Sequence, residues 1–114
     1  MGFELTQEHY QALDANDSAI KLMEDYGRQK ASAEAEYNVA LAKAMLSLRG
    51  GGLAAAMCER CAKGEKEVAL AYVAWQNLEV LYAASKEHVQ LTKRRADAIR
   101  DQIQREYTAA GGRA

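Results

Sequence analysis

Val68, Trp75, Tyr82, Val89, Ala96 and Ile103 stand seven residues apart, and Ala71, Leu78, Ser85, Thr92 and Ile99 fall between them at alternating spacings of three and four. A seam of that period, held over five heptads, belongs to a helix packed lengthwise on another helix; a strand would alternate every second residue. A second stripe through Leu70, Val73, Val80 and Leu91 makes the apolar surface wider than one neighbour covers. The spacing therefore predicts a helix over about 65–109 that wants more than one partner.

The rest of the chain agrees with helix. It has no proline among 114 residues, and 23 are alanine, the best helix former. Glycine supplies the punctuation, at Gly50-Gly51-Gly52, Gly64 and Gly111-Gly112. A first long helix over about 6–49 is expected to start with Thr6 as N-cap, Leu5 and Tyr10 forming a hydrophobic staple. Tyr10, Leu13, Ile20, Met23, Tyr37, Leu41, Met45 and Leu48 are its apolar positions, and Arg49-Gly50 its basic last turn and left-handed cap. Asp14 to Ser18 prefer caps and turns and Gly27 disfavours helix, so a kink or break is expected between 14 and 31. Leu53 to Lys63 reads as a short connector helix. The expected fold is a single all-α domain over 1–114, a long antiparallel hairpin assembling into a homo-oligomeric bundle.

Charge supports the pairing of the ends. Residues 1–36 carry three basic and eight acidic side chains, while residues 86–114 carry seven basic and four acidic. A thin helical pair buries little area for its length, so self-association, at least as a dimer, is expected. The net charge of −1 argues against a dedicated nucleic-acid or membrane-surface binder. Met1-Gly2-Phe3-Glu4 lacks the basic start of a signal peptide, and no apolar run approaches the ~18 residues of a membrane span, so a cytoplasmic location is expected.

Few groupings suggest chemistry. Cys58-Glu59-Arg60-Cys61 is a C-x-x-C whose thiols are expected on one helix face. It lacks the second pair or the histidines a zinc site needs, and the βαβ setting of a redox motif. Two chains could join four cysteines across a two-fold axis; the plainer reading is two small, reduced, apolar residues, with no metal and no cofactor. Lys93-Arg94-Arg95 with Arg100 and Arg105 is the one dense basic run. It reads either as a solvated face paired with the acidic first helix or as phosphate-binding. Ser85 and Thr92 interrupt the apolar seam beside it, as hydroxyls lining a polar pocket between protomers would. Lys63-Gly64-Glu65-Lys66 opens the last helix, where free amides attract anions, but it lacks the spacing of a phosphate loop. Trp75, Tyr72, Tyr82 and Tyr37 read first as core, and Trp75 or Tyr82 alternatively as platforms for a ring. No nucleophile has an adjacent histidine, and the paired carboxylates sit in solvated helix contexts, so no enzyme is expected.

Glu36-Tyr37-Asn38-Val39-Ala40-Leu41-Ala42-Lys43, Leu48-Arg49, Ala62-Lys63-Gly64-Glu65-Lys66-Glu67-Val68-Ala69, Leu81-Tyr82-Ala83-Ala84, Lys93 and Ile99-Arg100-Asp101-Gln102-Ile103-Gln104-Arg105-Glu106-Tyr107 together resemble short uncharacterised all-helical proteins from early regions of bacteriophages and prophages of Gram-positive bacteria. The similarity covers about residues 33–108; members usually lack the triple glycine and the cysteine pair. It implies no catalytic residues. It implies a viral protein acting by binding in the host cytoplasm. The first expectation is an anti-defence sponge that sequesters a nucleotide-type immune signal between protomers. Lys93, Arg94, Arg100, Lys66 and Lys63 would meet phosphates, and Tyr82, Trp75, Ser85 and Thr92 the ring and polar groups. The alternatives are an adaptor or inhibitor of a host or phage replication or recombination enzyme, and a weak single-stranded nucleic-acid binder.

Overall fold

The computed structural model describes residues 2–111. They form three helices, α1 (Gly2–Gly50), α2 (Ala55–Lys63) and α3 (Lys66–Gly111), and among the described residues there is no strand. The chain divides into two compact units, one made of 1–24 with 83–114 and the other of 25–82; Met1 and residues 112–114, including Gly112, lie outside the described residues.

The heptad seam of α3 is where the chain covers it: Val68, Ser85, Val89, Thr92 and Ala96 are buried and Ala71, Trp75, Leu78, Tyr82, Ile99 and Ile103 half-buried. On α1, six of the eight expected apolar positions are covered, Tyr37 buried and Ile20, Met23, Leu41, Met45 and Leu48 half-buried. Covered heptad positions run Leu5, His9, Ala12, Asn16, Ala19, Met23, Tyr26, Lys30, Ala33, Tyr37, Ala40 and Ala44, again at alternating steps of four and three. Five of these are alanine, small enough to let helix backbones approach. Tyr10 and Leu13, expected on the inner face, are 64% and 41% exposed.

Several expected boundaries shift. Helix α1 begins at Gly2, four residues before the expected start. Thr6 is therefore no N-cap; its hydroxyl donates back to the Gly2 carbonyl at 2.8 Å, the bond a threonine makes inside a helix. With Tyr10 exposed, the staple is absent too. Helix α1 also runs unbroken across 14–31. Asn16 does not compete for its own backbone because its amide Nδ2 donates across to the Val89 carbonyl (3.1 Å) and to Thr92 Oγ1 (3.0 Å). Gly27 is a place of close approach: a Cβ there would stand 3.2 Å from Cε1 of Tyr82.

The left-handed cap falls at Gly52, not Gly50. Gly52 has φ of 95°; its N–H donates to Arg49 O (3.1 Å) and that of Leu53 to Leu48 O (3.1 Å), the paired bonds of a Schellman ending. Gly50 is the last residue of the helix, and α2 begins at Ala55, not Leu53.

In the unit of 25–82, α1 and α3 run antiparallel: Lys30 meets Glu79 at 3.6 Å and the Tyr37 ring meets Tyr72 at 5.5 Å. Its core is Tyr37, Ala44, Ala62 and Val68, ringed by Leu41, Met45, Leu48 and Trp75, so α2 is held by burying Ala62 in that core, with Cys58 buried one turn earlier. In the unit of 1–24 and 83–114, Ala12, Ala19, Val89 and Ala96 are buried together with Ser85 and Thr92.

Candidate functional site

Helix α2 is only nine residues long, and it covers one side of the last turns of α1. Between the two a groove of about 440 Å³ stays open, lined by Ala42, Met45, Leu46 and Arg49 of α1 and by Ala55 and Cys58 of α2. The residues that make it follow from local sequence. Ala42, Met45 and Arg49 stack at helical spacing on α1, while Ala54-Ala55-Ala56 leave α2 without side chains long enough to fill the space. Leu46 stands at its edge, 73% exposed, and Met57 is 45% exposed. Arg49 is its one charged lining residue; its Nη1 donates to Leu53 O at 3.5 Å, which leaves most of the guanidinium's five N–H groups for other acceptors.

A second recess, about 380 Å³, is lined by Tyr37, Lys63, Ala69, Tyr72 and Val73. Behind it Trp75 stacks on Tyr37 with centroids 5.4 Å apart and meets Tyr72 edge-on at 6.0 Å. Trp75 Nε1 is buried without a hydrogen-bond partner, and the indole is held by packing on the core of Tyr37, Ala44, Ala62 and Val68. Lys63 pairs with Glu59 at 3.1 Å. That hydrogen bond, and then the carboxylate's charge, raise its pKa above the ordinary 10.5.

The expected phosphate and ring residues divide between the units. Lys63, Lys66, Trp75 and Tyr82 belong to 25–82; Ser85, Thr92, Lys93, Arg94 and Arg100 belong to the other. The structure brings Lys63 to the recess that Trp75 backs. It gives Tyr82 a different neighbour, Lys30, whose Nζ lies 5.2 Å from its ring centroid. Ser85 and Thr92 are buried, 6% and 9% exposed, and the Thr92 hydroxyl donates to Val89 O at 3.0 Å while accepting from Asn16. Thr92 thus joins a closed polar cluster inside the seam. Lys66, Lys93, Arg94 and Arg100 are exposed. Arg94 lies two residues from both Thr92 and Ala96, which places it on the side of α3 opposite the seam. Arg100 meets Asp97 (3.6 Å) and Asp101 (3.5 Å) of its own helix.

The two cysteines, three residues apart on α2, differ in burial. Cys58 is buried, its thiol donating to Ala54 O at 3.4 Å, and Cys61 is exposed. The small residues of a two-turn helix packed on one side place Cys58 and Ala62 inward and leave Cys61 out. Among the described residues no group of three or more His, Cys, Asp or Glu side chains converges.

The groove beside α2 is the feature that sequence reading missed. Its signal was present: Ala35, Val39, Ala42 and Leu46 recur at helical spacing outside the seam. Compared with protein-family models, with curated proteins and with solved structures, the chain matches none.

Proposed function

We propose that this protein has no reaction of its own and works as an adaptor or inhibitor, holding an amphipathic helix of another protein in the groove between the end of α1 and α2. One observation carries the reading: the groove is apolar except for Arg49, and Leu46 stands beside it almost bare to solvent. Apolar side chains of a partner helix, spaced three and four apart, suit such a groove. Met45 within it and Met57 nearby can adjust to irregular knobs, as methionine does at adaptable binding surfaces. Arg49 sets the sign of the partner: an acidic side chain at the end of its apolar ridge. The resemblance to phage early-region proteins puts replication and recombination enzymes of host or phage among such partners.

Leu46→Asp is the decisive variant. Leu46 is exposed, so the fold persists by circular dichroism, while a partner helix loses affinity by on the order of a hundred-fold, the scale of a hot-spot contact. The check is co-purification of wild type against Leu46→Asp. It is followed by fluorescence anisotropy of the acidic helix from any protein lost with the variant, titrated into purified wild type. Identical interactors for both proteins would overturn the groove as the working surface.

Nucleotide sequestration has one observation in its favour, the recess where Lys63 stands with Tyr37 and Tyr72. Calorimetry of the same preparation with cyclic and linear nucleotides decides it. Saturable heat without a protein partner, abolished by Lys63→Glu, would move the function there.

A further inference from the structure

From Val68 to Ser85, α3 carries one charged side chain, Glu79, and that carboxylate is engaged by Lys30 of α1. One side of the stretch is covered by the chain: Val68 is buried and Ala71, Trp75 and Leu78 are half-buried. The opposite side is not. Leu70, Val73 and Val80 are 59%, 53% and 69% exposed. A helix in water normally turns charged residues outward; one without charge around its circumference is a helix covered on both sides. Among the described residues no helix is long and apolar enough to cross a membrane.

The surface area says how much cover is missing. The chain exposes 8404 Å². A folded single chain of 12.5 kDa exposes about 6,200 Å² by the mass scaling of monomeric proteins. The excess, roughly 2,200 Å², matches what each protomer contributes to an obligate dimer, whose interfaces total about 2,000 to 5,000 Å². Interfaces of that kind are apolar and poor in charge at their centre, whereas transient partners meet on surfaces as polar as the rest. We infer that a second copy of this chain covers the Leu70–Val73–Val80 face of α3, in an isologous contact in which each copy offers the same face. This does not rest on the groove beside α2, which uses other residues.

Sedimentation equilibrium and concentration-dependent melting test it. The wild type is expected at twice the chain mass at micromolar concentration, with a melting temperature that climbs as protein concentration rises. Val73→Lys with Val80→Lys should weaken self-association by on the order of a hundred-fold or more and make melting independent of concentration. Because a hairpin stripped of its partner can lose its helices, Val80→Thr is the companion: nearly the same shape, folded, and intermediate in dissociation constant. Leu46→Lys, in the groove, should leave the dimer unchanged. A helical wild type that stays at single-chain mass through about 100 µM, well above the range of stable homodimers, would overturn the inference. So would a dimer that survives the lysines at Val73 and Val80 or is lost with Leu46→Lys.

Discussion

Asn16 shows how one polar side chain shapes a helical pair. Its Nδ2 reaches both a backbone carbonyl and a hydroxyl on α3, which a short side chain manages only where the backbones are close. Such a bond fixes which turn of α1 faces which turn of α3, because any slip leaves a half-buried amide without acceptors. Asn16→Ala should lower stability by about 1–2 kcal/mol. The denaturant midpoint should move at unchanged slope; no movement would show that water replaces the bond at no cost. Asn16, His9 and Lys30 also explain why the inner face of α1 is hard to read, since polar residues at seam positions look like solvated ones until a partner is seen.

At the scale of elements, the turn after α1 separates what three consecutive glycines do. Gly52 alone has positive φ. Gly50 would carry a Cβ with nothing within 4 Å, and Gly51 would meet only ordinary contacts, the nearest at 3.5 Å. Gly52→Ala is therefore expected to cost about 1–2 kcal/mol through left-handed strain, whereas Gly50→Ala should be neutral or slightly stabilising. Thermal melts of the two variants make the comparison, and equal losses would refute the capping role of Gly52. The position of the cap was not legible in the sequence, because any glycine of the three can adopt it. It is the pair of bonds from Gly52 and Leu53 back to Arg49 and Leu48 that marks the last as the cap. Helix α1 crosses Asp14–Ser18 for a related reason, as Asn16, which favours turns in isolation, is held in helix by what it bonds on α3.

For the whole molecule, burial is thin and unevenly placed. Among the described residues Val68 is the one large side chain below 2% exposure, and the residues packed around it gather where α2 meets both long helices. Phe3 and Tyr107, near the two ends, are each 79% exposed. Amide exchange should be slowest at Tyr37, Ala44, Ala62 and Val68 and fastest over 2–8 and 104–111, since protection follows local burial. Uniform protection along α1 and α3 would contradict this.

The periodicity of the sequence by itself determined the helical class, the seam of α3 from Val68 to Ile103 and the presence of a short helix between two long ones. A heptad of large apolar residues announces its own inner face. The tertiary structure decided the rest. Near the start of α1 it chose Ala12 over Tyr10 and Leu13, and it closed Thr92 into a bond with Asn16. It turned Cys58 inward and Cys61 outward, and it opened a groove along an apolar row whose spacing gave no sign of a cavity. The physical reason is common to all four: small and polar residues have weak preferences of their own, so their surroundings set their roles, and surroundings exist only once the helices have packed.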